Sequence, residues 1–108
     1  MGDKVLNHKF KNRYVTKGVQ LELPPEMQII LWSMVDENIK KGLPMDYLQI
    51  FELKPVYLDD IKMQEISHKQ EQPRRTNTFA FETDNPISAK IFIIDSIEYS
   101  TMMFNYEY

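Results

Sequence analysis

Residues 24–42, PPEMQIILWSMVDENIKKG, are the one stretch of this chain with a clear helical period, and the remainder must be arranged around the face that helix buries. Pro24 and Pro25 suit a first turn, where a missing N–H costs nothing and φ is preset, and Glu26 faces the positive end of the dipole. Met27, Ile30, Leu31, Met34, Val35 and Ile39 fall on one face, with Glu26, Ser33, Glu37 and Lys40 opposite. Lys40 and Lys41 meet the negative pole, Gly42 suits the left-handed position past the end, Leu43 can fold back as its apolar contact, and Pro44 forbids continuation. Trp32 and Ile29 sit off the stripe beside Asp36. Either the indole covers the margin of a wide core, or Ile29, Trp32 and Asp36 form a surface for a partner.

A chain of 108 residues fits one domain with one core. Hydrophobic residues at 43% and aromatics at 12% fit a folded globular protein and argue against disorder. The absence of cysteine excludes disulfides, thiolate metal sites and cysteine nucleophiles, and fits a reducing cytosol. No apolar run is long enough to span a bilayer and the N-terminus lacks a signal-peptide core, so no membrane association is expected and the expected compartment is the cytoplasm. The net charge of −3 conceals a basic first seventeen residues and an acidic stretch from Thr76 onward, which can steer a partner or draw two ends of a fold together.

Taken in order, residues 1–12 are polar and basic and read as a flexible N-terminal arm, followed by a single domain over 13–108. Residues 13–23 alternate Val15, Val19 and Leu21 with polar neighbours and read as a strand, Gly18 marking a bulge or a close backbone approach. After the helix, residues 47–53 are apolar on both faces and read as a central strand; Pro55 either ends it or places that end on an edge, and 56–60 read as a loop. Residues 61–72 keep no single apolar parity, as expected of a solvent-facing or edge strand containing a bulge. A turn over 73–77 and a return strand over 78–82, Phe79 and Phe81 inward, complete a hairpin; strands over 88–95 and 99–106 follow and pair antiparallel. The expected fold class is α+β, a single helix packed on a mostly antiparallel sheet in the order β-α-β-β-β-β-β.

Chemistry is sparse. His8 and His68 are too far apart in this order to form a ligand pair, so no metal site is expected, and the scattered glycines form no phosphate-cradling loop, so no cofactor is expected either. Ser67 and His68 are adjacent on a strand and point to opposite faces, which rules them out as nucleophile and base. The tail, YSTMMFNYEY, is either adaptable contact surface or, through Met102 and Phe104, the end of the core.

The words RYVTKG (13–18), the helix containing Trp32, DYLQIFEL (46–53), HKQEQP (68–73), AKIFIID (89–95) and STMM (100–103) stand in an order that resembles a family of small uncharacterised bacterial proteins, a domain of unknown function found mainly in Gram-positive species. The resemblance spans nearly the whole chain after residue 12. It implies no activity and carries over no catalytic residue.

These observations favour a non-enzymatic cytosolic protein-interaction module, with an unknown protein or a second copy as partner, and a contact surface of Ile29, Trp32, Asp36 and one strand face. The alternative is nucleic-acid binding through Lys9, Lys11, Arg13 and Lys17 together with Arg74 and Arg75 at the hairpin. A third reading, an enzyme using His68 with Glu65 or Glu71, has only the residue types in its favour.

Overall fold

A helix forms where the caps and the apolar stripe place it. In the computed structural model, which describes residues 7–108, helix α2 spans Pro25–Lys40, with Pro24 as N-cap and Pro25 in the first turn. At the other end Gly42 takes φ +75°, its N–H bonds the Ile39 carbonyl at 2.9 Å, and the Leu43 N–H bonds the Asn38 carbonyl at 3.1 Å. That pair of bonds is a Schellman closure. Met27, Leu31 and Val35 are buried, with Ile30, Met34 and Ile39 packed at the margin of the core.

The stripe rests on one face of a six-stranded sheet in the order β1-β6-β5-β2-β3-β4, with β1 Arg13–Val15, β2 Leu48–Leu58, β3 Ile61–Glu71, β4 Arg74–Glu82, β5 Ala89–Asp95 and β6 Ser100–Phe104. β1 runs parallel to β6 and the other neighbours are antiparallel. Phe51, Leu53, Ile66, Ile91, Ile93 and Met102 point at the helix and are buried. Full burial of side chains such as Leu31 and Phe51 contributes about 1.5–3 kcal/mol each. The expected α+β architecture and element order are present, β2 is central, and β5 and β6 pair antiparallel. Met102 and Phe104 finish the core.

Several expectations are corrected. The strand expected over 13–23 ends at Val15, and Lys17–Glu22 is a second, short helix, α1, because the Thr16 hydroxyl accepts from the Val19 N–H as an N-cap. Val19 is buried while Leu21 is 71% exposed, so the apparent alternation was one turn of helix. Gly18 marks a close approach rather than a bulge: a Cβ there would stand 2.5 Å from the Glu107 carboxylate. β2 does not stop at Pro55 but runs through the expected loop to Leu58, turning at Asp59 (φ +57°). Its partner β5 stops opposite Leu53, so Pro55 faces an unpaired side, as its missing N–H allows.

β3 is neither an edge strand nor bulged. It pairs without interruption with β2 and β4, and Gln64, Ile66, His68 and Gln70 alternate inward and are buried. β4 begins at Arg74, inside the expected 73–77 turn.

Of the expected flexible arm, residues 1–6 lie outside the described residues, and the expectation does not describe 7–12. Phe10 is 1% exposed in the core, the Phe10 N–H donates to Asp95 Oδ2, and His8 Nδ1 donates to the same oxygen at 2.9 Å. Asn7 bridges Met45.

Candidate functional site

One helix about 10 Å wide cannot cover six strands spaced at about 4.8 Å. α2 lies over the middle of the sheet, and β4, the last strand, is left beyond its flank. Between them opens a cleft of about 540 Å³. Ile30 and Met34 of α2 form one wall and Phe79 and Phe81 of β4 the other; Ser33, Glu37, Lys41 and Asn77 supply polar groups around them. Phe79 is 49% exposed.

His68 also lines the cleft, yet is only 4% exposed. Its ring stacks on Phe51 at a centroid distance of 4.2 Å. The other ring contact fixes its tautomer: Gln49 Nε2 is committed to the Asp46 carbonyl and to Gln70 Oε1, so Gln49 Oε1 accepts, and His68 Nε2–H donates to it at 2.6 Å. Nδ1 then carries the lone pair. Because no buried side-chain nitrogen or oxygen among the described residues lacks a partner, this unbonded Nδ1 is open to the cleft. Burial, and secondarily the positive charge of Arg75, lower the His68 pKa to about 4, so the imidazole is neutral at pH 7 and offers an acceptor.

Behind His68 lies a bed of buried amides. Gln70 Nε2 donates to the Pro44 and Pro73 carbonyls, and its Oε1 accepts from Gln49, from the Asp46 N–H and from Arg75. Asp46 in turn accepts from the N–H groups of Tyr47 and Gln72. This network ties the start of β2 to the β3–β4 turn and makes the cleft floor rigid.

The residues singled out in the sequence are scattered. Trp32 is half-buried with the Arg13 guanidinium 4.7 Å from its ring centroid, and Arg13 makes a two-pronged ion pair with Asp36. Ile29 projects nearby, 68% exposed. Arg75 is turned inward onto Gln70 and Pro44. Lys9, Lys11, Lys17 and Arg74 are exposed, with Arg13 on β1 and Arg74 on β4 at opposite edges of the sheet. Glu65 and Glu71 lie on the sheet face away from His68, and none of the hydrogen bonds joins His68 to Ser33, Thr78 or Glu37; the Ser33 hydroxyl donates to the Ile30 carbonyl at 2.6 Å. Among the described residues no three His, Asp or Glu side chains gather as a metal would need, and no helix is long and apolar enough to cross a membrane.

Gln49, Gln70 and Asp46 escaped the sequence reading. Their signal was the alternation Gln64, His68, Gln70 about Ile66, which looks like solvent exposure until the amides are seen to satisfy one another.

A family model described as a staphylococcal protein of unknown function matches residues 12–107. The chain belongs to the DUF960 family. The match begins at Asn12 and takes in both helices, all six strands and every residue of the cleft. No curated protein matches the chain. A crystal structure of a protein of unknown function from Enterococcus faecalis is similar over 90% of each chain, with 23% identity and a TM-score of 0.67. At that identity the likeness establishes a shared fold.

Proposed function

We propose that this DUF960 protein is a non-enzymatic interaction module that receives a polypeptide segment along β4 and in the cleft beside it. The observation that carries the reading is Phe79, half-exposed on a strand whose outer edge has no partner among the described residues and whose inner face borders an apolar cleft. An added strand gains main-chain hydrogen bonds from such an edge and side-chain selectivity from such a cleft. His68 supports it, since a neutral acceptor on the floor suits a side chain carrying an N–H or O–H donor. The surface of Ile29, Trp32 and Asp36 is less well supported, because Arg13 already covers the indole and neutralises Asp36. The setting in this reading is the cytosol, which a cysteine-free chain fits.

Nucleic-acid binding through Lys9, Lys11, Arg13, Lys17, Arg74 and Arg75 has less behind it, since Arg13 and Arg75 are engaged within the fold.

A photo-activated cross-linking residue placed at position 79, and separately at position 29, in the native host tests the reading. Discrete polypeptide adducts from position 79 and none from position 29 are expected. Adducts from position 29 alone would return the surface to the Trp32 patch, and none from either would end the interaction reading.

A further inference from the structure

A strand paired on one side only turns half of its backbone groups toward whatever lies beyond it. The Thr83 N–H bonds the Lys62 carbonyl at 3.1 Å, and in an antiparallel ladder the direction of bonding alternates along the strand. The odd residues of β4 therefore bond β3, and Arg74, Thr76, Thr78, Ala80 and Glu82 present their N–H and C=O groups to the free edge. This set is symmetric about Thr78. Its charge reverses sign across the same point: Arg74 and Arg75 stand at one end, Glu82 and then Asp84 at the other, and residues 76–81 between them, TNTFAF, carry none.

The geometry points to a second copy of this chain as the occupant of this edge, paired antiparallel about a two-fold axis through Thr78. This names the partner of the surface proposed above and rests on that reading. With Thr78 opposite Thr78, Arg74 faces Glu82 of the second copy and Thr76 faces its Ala80, so every outward-turned residue meets another outward-turned residue. A slip by one residue sets bonding groups against non-bonding ones. A slip by two keeps bonds but takes Arg74 off Glu82 and leaves Glu82 facing an uncharged residue or the turn. On the helix side, each Phe79 lies beside Asn77 of the other copy and diagonal to its Phe79, close enough for the two half-exposed rings to cover each other.

The other free edges of the sheet are guarded in ways β4 is not. β1 is three residues long, and β2 beyond Leu53 carries Lys54 and Pro55. β4 has no proline, glycine or lysine in its nine residues, the composition of an edge that is covered rather than blunted.

The test is the mass of the full chain in solution by sedimentation equilibrium up to about millimolar concentration. Wild type is expected at twice the 12.9 kDa chain mass. R74E and E82R, each placing like charges opposite one another at two symmetry-related positions, should raise the dissociation constant by about tenfold or more. The double variant R74E/E82R, and an equimolar mixture of the two single variants, should recover the wild-type value. T78P removes an edge N–H that β3 does not use and should give a folded monomer, judged by its circular dichroism and the emission of Trp32. A wild-type monomer throughout the range, or a dimer indifferent to these variants, overturns self-pairing. If that monomer still cross-links to a different polypeptide from position 79, the interaction module stands and only its partner is wrong.

Discussion

His68 sits inside the protein as a neutral imidazole, and its surroundings hold it that way. Burial, with Phe51 stacked on the ring, is the main cause, and the positive charge of Arg75 adds to it by being of the same sign as an imidazolium. The folded pKa of about 4 lies below the unfolded value of 6.5. Above pH 6.5 both states are neutral and the stability of the fold is at its full value as far as this residue is concerned. As pH falls toward 4 only the unfolded chain takes up the proton, so stability is lost across that window, by about 3 kcal/mol, and no further below it. Urea unfolding at pH 7 and pH 4.5 should show this loss in wild type. H68Q, less stable at pH 7 because the stack is lost, should show a shallower dependence. An unchanged slope in H68Q would place the titration elsewhere.

Among the elements, α2 was legible from its first proline to its last glycine because its signals are local: caps, dipole charges and a 3.6-residue stripe. Gly42 shows how local. Its φ of +75° strains any other residue, yet a Cβ there would meet nothing within 4 Å, so G42A should cost about 1–2 kcal/mol in thermal or chemical unfolding through backbone conformation alone. β3 was misread for the opposite reason. Three of its four inward residues are polar, and what makes Gln64, His68 and Gln70 compatible with burial is supplied by Ile87, Gln49 and Pro44, distant in the chain. α1 was missed because a six-residue helix announces itself only through Thr16. The cleft was half legible. The sequence places Ile30, Met34, Phe79 and Phe81 inward, yet Phe79 is half-exposed, because the helix stops short of β4; that follows from how a single rod sits on a wide sheet, which no spacing encodes.

At the scale of the whole molecule the two ends of the domain are held together by hydrogen bonds. The N-terminal residues 8–16 and the C-terminal residues 95–107 are neighbours: Asp95 takes His8 and the Phe10 N–H, Ser100 bonds the Asn12 and Lys11 carbonyls, and Thr16 reaches Met102 and Glu107. Asp95 is the most exposed to loss, being itself buried and accepting from three donors, the third being the Ile97 N–H. D95A should destabilise the fold by about 2–3 kcal/mol and raise amide hydrogen exchange in residues 7–12 well ahead of that in β2 and β5. Equal protection across all three would show that the N-terminal segment is held by Phe10 alone.

That closure decides how the molecule would bear a load. β1 and β6 run in the same direction, so tension on the two termini drags one along the other, and once the ties at His8 and Phe10 have given way the bonds of this short parallel pair are strained together instead of unzipping in turn. A chain tethered through both ends would therefore yield abruptly, at the seam between its first strand and its last.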